Sequence, residues 1–171
     1  MRPTRTALPA DPVSPSPPRE APPEGFAFAA PIRVRFAETD AQGVAHNSNY
    51  FVWFEVARVE FLERFAGGYQ RLRDEGIESL VLESHARFLA PAVFDDRLLV
   101  HTRCHDLRGA RFRFEYVVTR ERAVIAEGWT AHGTVDGRTL RPTRTPQWLR
   151  EAMSAANSEA AGRSVSQSTP S

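Results

Sequence analysis

Tyr50-Phe51-Val52-Trp53-Phe54-Glu55-Val56-Ala57-Arg58-Val59-Glu60-Phe61-Leu62-Glu63-Arg64-Phe65 is the stretch on which the fold turns. Tyr50, Trp53, Phe54, Ala57, Phe61, Leu62 and Phe65 recur at intervals of three and four, which is one stripe of an α-helix. Glu55, Arg58, Glu60, Glu63 and Arg64 share the other side, so the 3.6 period persists where a strand reading of the aromatic run would lose it. The first turns, Tyr50 to Phe54, are apolar all round, and a helix of that kind is predicted to be wrapped by other structure. Gly67-Gly68 stops it.

Working outward, Ile32, Val34 and Phe36 alternate with Arg33, Arg35 and Ala37, the period of a strand with one buried face. A polar loop from Glu38 to Asn49 joins that strand to the helix. After a short amphipathic piece around Tyr69 to Glu75, four strands are predicted. They run over Leu80 to Leu89 (broken by Pro91), over Arg97 to Asp106, along the alternation of Phe112, Phe114, Tyr116 and Val118 with Arg111, Arg113 and Glu115, and over Val124 to Val135. The connections holding Asp95-Asp96, Arg108-Gly109 and Asp136-Gly137 are short, so neighbouring strands should pair antiparallel. One strand, one long buried helix and a run of antiparallel strands is an α+β, two-layer design with the sheet curled around the helix.

The chain has 171 residues, and all 22 of its basic residues are arginine against 21 acidic ones. The absence of lysine excludes Schiff-base and P-loop lysine chemistry, and a net charge of +1 argues against a nucleic-acid binder. No run of about eighteen apolar residues is present for a membrane span. Residues 1–25 lack the apolar stretch of a secretory signal. The lone Cys104 excludes an intramolecular disulfide and fits a cytoplasmic location. Eight of the 13 prolines precede Gly25, so residues 1–25 read as a disordered Pro-rich tail. Residues 154–171 are mostly Ala and Ser, with Gly and Gln and almost nothing large and apolar to bury, and read as a second tail. The folded unit is then 26–153.

Chemistry concentrates in Glu38-Thr39-Asp40-Ala41-Gln42-Gly43-Val44-Ala45-His46-Asn47-Ser48-Asn49-Tyr50. The loop ends at a helix N-terminus, where free backbone N–H groups favour an anion. A carboxylate just upstream adds a base or nucleophile, which together make two parts of an acyl-transfer site. The same residue types also serve ordinary turns and caps. His85, His101, Cys104, His105 and His132 lack the close spacing of zinc ligands, and His101 and His105 alternate with Cys104 across one strand, so no metal is expected. GxGxxG and P-loop fingerprints are absent.

Arg35-Phe36-Ala37-Glu38-Thr39-Asp40-Ala41-Gln42-Gly43-Val44-Ala45-His46-Asn47-Ser48-Asn49-Tyr50, continued by Phe54-Glu55-Val56-Ala57-Arg58, resembles the signature of hot-dog-fold acyl-CoA thioesterases of the 4-hydroxybenzoyl-CoA thioesterase and YbgC-type group. Ala86 to Ala92 with Asp95-Asp96, Phe112 to Tyr116, and Ala126-Glu127-Gly128 fit in the same order, over roughly residues 31–150. The resemblance implies hydrolysis of a small or medium acyl-CoA without a cofactor. It makes Asp40 the catalytic carboxylate, Gly43 the tight turn and the backbone N–H of Asn47 the oxyanion donor. The group usually carries histidine at the position of Asn47, whereas here His46 precedes it, so Asp40 and the Asn47 amide stand ahead of His46. Glu55 is a reserve carboxylate, or simply the ion-pair partner of Arg58 at i+3. Tyr50, with Trp53 and Phe54, either lines an acyl pocket or is plain core.

Arginine matches phosphate bidentately, so Arg87, Arg108 and Arg111, near strand ends, are candidates for gripping CoA, equally readable as a solvated face. The resemblance further implies a homodimer or homotetramer with each site at a subunit interface. Two alternatives remain: an acyl-thioester hydratase or dehydratase using His46, and a non-catalytic acyl-CoA or acyl-carrier binding module.

Overall fold

In the computed structural model, which describes residues 23–166, the helix read from the aromatic spacing runs over Asn47–Ala66 (α1) and stops at Gly67. Its inward stripe of Tyr50, Trp53, Phe54, Ala57, Phe61 and Leu62 is buried. Phe51, Val52 and Val56, on the side turned away from the sheet, are open to solvent in the single chain. A short helix, Gly68–Asp74 (α2), follows directly.

The sheet has five antiparallel strands: β1 (Phe28–Arg33), β2 (Ile77–Phe88), β3 (Arg97–Arg108), β4 (Arg111–Arg120) and β5 (Ala123–Asp136). Their order is β1-β3-β4-β5-β2. Hairpins join β3 to β4 and β4 to β5 as expected from the short connections. The connection through Asp95-Asp96 behaves differently. It forms no hairpin; β2 lies on the far edge against β5, and β3 pairs with β1. The physical reason is that this connection hydrogen-bonds elsewhere. Ala45 N–H donates to Ala92 O (2.8 Å), Val34 N–H to Asp96 O (2.9 Å) and Asp95 N–H to Val34 O (2.9 Å), while Val44 bridges Val93. The segment therefore crosses the end of the sheet and is tied to the loop that precedes α1.

The inward faces of β3 and β4 follow the sequence alternation, with Leu98, Val100, Thr102 and Cys104, then Phe112, Phe114, Tyr116 and Val118, all buried. Phe54 lies parallel to Tyr116 with centroids 4.3 Å apart, the offset-stacked geometry that aromatic pairs favour. It rests on Gly128, where a Cβ would stand 2.5 Å from the ring. The first strand is shorter than the alternation suggests. Ala30 and Val34 are buried, but after Arg33 the chain leaves the sheet for a 3-10 turn, Phe36–Glu38, and Phe36 is 76% exposed, edge-on to Phe94.

The boundary expected at Ser154 is also displaced. Gln147–Ser166 is one helix, α3, which packs on β3 and α1 through Leu149, Met153 and Ala156. Asn157 Nδ2 donates to Cys104 O at 2.6 Å. Alanine-rich sequence has high helix propensity, and its small side chains allow close approach; a reading that looked only for large apolar residues passed over it. The Pro-rich stretch and residues 167–171 lie outside the described residues, apart from Pro23 to Gly25. No helix among the described residues is long and apolar enough to cross a membrane.

Candidate active site

The loop between β1 and α1 is folded by its own backbone. Asp40 N–H donates to Val44 O (2.9 Å) and Gly43 N–H returns to Asp40 O (3.0 Å), closing a tight turn in which Gly43 takes φ +76°, a conformation open to glycine at little cost. Asp40 Oδ1 accepts Gln42 N–H at 2.8 Å, which fixes the carboxylate over its own turn. Thr39 and Ala45 then pair across the loop. His46 is the N-cap of α1: its Nδ1 accepts Ser48 N–H (3.3 Å) and lies 2.8 Å from Ser48 Oγ. Asn47 N–H is the first donor of the helix and has no acceptor within it.

These groups share one cleft of about 510 Å³, lined by Asp40, Val44, Ala45, His46, Asn47 and Tyr50 on one side and by Phe88, Leu89, Ala90 and Pro91 on the other. Tyr50 is the buried wall, its ring 4.8 Å from Phe88 and 4.6 Å from Trp53. Burial holds its phenol above the ordinary range, partly offset by the Ala92 N–H and the nearby Arg120. The facing wall is braced by Arg120, whose Nη1 donates to Asp96 Oδ2 (2.7 Å) and Pro91 O (3.2 Å).

Four predicted residues, Asp40, His46, Asn47 and Tyr50, therefore meet in one place. Gly43 builds the turn without lining the cleft. Glu55 lies outside it, exposed and paired with Arg58 Nη2 at 3.0 Å. Arg87 is on the outer sheet surface beside His85, Glu127 and Trp129. Arg108 and Arg111 pair at the β3–β4 turn. Phe88 of the cleft is level with Ala126 on β5, whereas Arg111 is level with Gly133. Seven residues of strand separate these levels, roughly 23 Å, so neither arginine reaches the Asp40 of its own chain.

The sequence reading passed over Glu38. It is 5% exposed and its carboxylate accepts Arg35 N–H (2.7 Å), Arg35 Nη2 (2.9 Å) and Trp53 Nε1 (3.1 Å). Burial alone would raise this carboxyl, but the Arg35 side chain and N–H and the Trp53 indole outweigh it and hold it below the usual range. Two of the histidines weighed as ligands are buried core groups. Burial pushes His101 down to about 4, and burial with the Arg58 guanidinium pushes His132 down to about 3.

A curved antiparallel sheet around one long helix, with a carboxylate loop and a free helix N-terminus at one end, defines the hot-dog class of fold. The chain belongs to the thioesterase-like superfamily, whose model matches residues 34–153. It is 30% identical over 129 residues to the acyl-CoA thioesterase YbgC of Haemophilus influenzae, an alignment covering 75% of this chain and 93% of that one. It is 29% identical over 128 residues to a 1,4-dihydroxy-2-naphthoyl-CoA hydrolase of a Synechococcus strain, covering 68% and 85%. Among solved structures, the Thermus thermophilus protein TT1821 matches with a TM-score of 0.70 and 40% identity, over 75% of this chain and 98% of that chain.

Proposed function

We propose that the chain is an acyl-CoA thioesterase that hydrolyses small or medium acyl thioesters in the cleft between Asp40 and the α1 N-terminus. The observation that carries this is the meeting of the Asp40 carboxylate, the Asn47 N–H and the apolar wall of Tyr50, Phe88 and Leu89 in one opening. In this reading the thioester oxygen lies on the Asn47 N–H, where charge develops as the carbonyl carbon becomes tetrahedral. A single such donor is worth about 3 kcal/mol in the transition state. The Asp40 carboxylate drives the attack, either bonding to the carbonyl carbon itself or taking a proton from the attacking water. In the first course the C–S bond breaks to leave an aspartyl–acyl anhydride, which water then hydrolyses to the free acid and the Asp40 carboxylate; in the second the water oxygen enters the acid as the C–S bond breaks, and in both the sulfur leaves as thiolate and takes up a proton to give CoA thiol.

His46 Nδ1 accepts from Ser48 N–H, which supports a capping role; the hydratase reading would have to use its Nε2 for proton transfer. The test is release of free thiol from a panel of acyl-CoA substrates. Turnover is expected from the native chain and loss of it from Asp40→Asn; a panel with no turnover, or a fully active variant, refutes the reading.

The working form in this proposal is a homodimer built on the open edge of β2. That strand runs for 12 residues with one side unpaired, and Leu80, Val81, Leu82 and Phe88 are exposed along it. A long apolar edge of this kind invites pairing with another strand. Antiparallel pairing of two such edges reverses the second copy, so its Arg111 end comes to lie on the side of the first copy's cleft. Light scattering tests this: a monomer at working concentration refutes the assembly.

A further inference from the structure

Glu38 does not line the cleft, yet it ties together the loop and the helix start that form its Asp40–Asn47 side. Its carboxylate joins Arg35, two residues past the end of β1 (N–H and Nη2), to the second turn of α1 (Trp53 Nε1). Its carbonyl oxygen takes two more donors, His46 N–H at 2.8 Å and Asn49 Nδ2 at 2.7 Å. Asp40 follows it by two residues, and the Asn47 N–H follows the His46 N–H directly. Both reacting groups are thus within two residues of an anchor made by Glu38. The ionised carboxylate uses Oε1 for both Trp53 and the Arg35 guanidinium and Oε2 for the Arg35 N–H. All three are donors. A carboxamide at this place would present an NH2 group to one of them.

We propose that Glu38 is a positioning residue that sets the separation between the Asp40 carboxylate and the Asn47 N–H. The inference rests on the thioesterase reading above. Its chemistry is indirect: Glu38 exchanges no proton with substrate, and holds the loop and the helix start in the register at which the thioester carbon and oxygen meet their two partners at once. Displacements on the order of 1 Å at such distances cost roughly 100-fold in rate.

The experiment compares wild type, Glu38→Gln, Asp40→Asn and the double variant with an acyl-CoA that wild type hydrolyses, measuring kcat and KM separately and the folded state by circular dichroism. Glu38→Gln is expected to stay folded, to lose roughly 10- to 100-fold in kcat, and to change KM by less than about threefold. Added to Asp40→Asn it should cost little more, because the geometry it guards has lost its reacting group. An independent readout needs no turnover: in 15N-labelled protein the Trp53 indole N–H, bonded to a carboxylate, should move when Glu38 titrates in acid and lose that movement in Glu38→Gln.

If Glu38→Gln keeps kcat within twofold, or if its loss multiplies undiminished onto that of Asp40→Asn, the positioning role is wrong. An inactive wild type with the Trp53 signature intact would instead sink the thioesterase reading while leaving Glu38 as the anchor of this loop. Should Glu38→Gln fail to fold, Asn49→Ala removes one anchor at the carbonyl. It must then show the same kcat-weighted loss on a smaller scale, and a loss confined to KM overturns the proposal.

Discussion

Substituting Gly128→Ala would test how tightly the long helix is seated and whether that seating reaches the site. The added methyl would stand 2.5 and 2.6 Å from two carbons of the Phe54 ring and 2.6 Å from the His85 carbonyl oxygen. Ordinary carbon–carbon contact is about 3.5–4.0 Å, so a shift of about 1 Å is required. Neither neighbour gives easily. The oxygen belongs to the β2–β5 ladder, in which Ala86 pairs with Gly128, and the ring is stacked on Tyr116. Overpacking of this sort costs about 1–3 kcal/mol, and two rigid obstacles place Gly128→Ala towards the upper end.

Phe54→Leu alone forfeits the ring pair with Tyr116, worth about 0.5–1.5 kcal/mol beyond burial, but it also removes one of the two obstacles, leaving the His85 carbonyl oxygen. The double variant should therefore be more stable than the sum of the single losses by about 1 kcal/mol or more, a coupling typical of residues in contact. Urea unfolding at one protein concentration measures it, provided the slope with denaturant stays constant. Because Phe54 lies one turn beyond Tyr50, the cleft wall, kcat/KM should fall in Gly128→Ala and partly recover in the double variant. Gly128→Ala within about 0.5 kcal/mol of wild type, or strict additivity, would refute the reasoning.

Asp40→Asn should lower kcat by about 100- to 10,000-fold without changing unfolding, since the amide oxygen still accepts the Gln42 N–H; more than a tenth of wild-type activity contradicts this. His46→Ala removes the cap of α1 and should cost about 1 kcal/mol with most activity kept; a kcat loss beyond about 100-fold would put the imidazole in the chemistry. Stability should fall in mild acid. His101 and His132 titrate near 6.5 when unfolded but at about 4 and about 3 when folded, so between these limits the unfolded chain binds more protons. Their contribution is complete above about pH 6.5 and is lost as the pH falls, at up to about 1.4 kcal/mol per pH unit for each. Unfolding measured at pH 7 and pH 5 checks it, His132→Gln should flatten the slope by about half, and equal stability at the two pH values rules it out.

What was legible in the sequence was whatever a single element decides for itself. The α1 stripe is a property of 16 consecutive residues, and Asp40, His46, Asn47 and Tyr50 share a cleft because one loop carries them into one helix. What was illegible depended on where a segment goes next. Phe36 continues the β1 alternation on paper, but the 3-10 turn at Phe36–Glu38 takes it to solvent. The short Asp95-Asp96 connection looked like a hairpin because nothing local shows that Ala92, Val93 and Asp96 bond to Ala45, Val44 and Val34. The opposite wall of the cleft joins Phe88, the end of β2, to Leu89, Ala90 and Pro91 of that same connection. Glu38 was one more loop acid until its distance partners, Trp53 above all, were in place.

The arginines show how a correction can sharpen a function instead of removing it. Read in isolation, Arg108 and Arg111 were plausible phosphate grips, yet the strand register sets them about 23 Å from the Asp40 end of their own sheet. An arginine side chain cannot cross that gap, so within one chain they have no part in the cleft. The same register that separates them also reverses across an antiparallel edge, and β2 offers such an edge, unpaired and lined with exposed Leu80, Val81 and Leu82. In the proposed homodimer, pairing there would cover the apolar strip and would bring the Arg108–Arg111 end of the second copy towards the cleft. In the proposed reading, phosphate binding belongs to the assembled protein, and the cleft of one chain, with Asp40, the Asn47 amide and an apolar wall, is the half of the site that would perform the bond breaking.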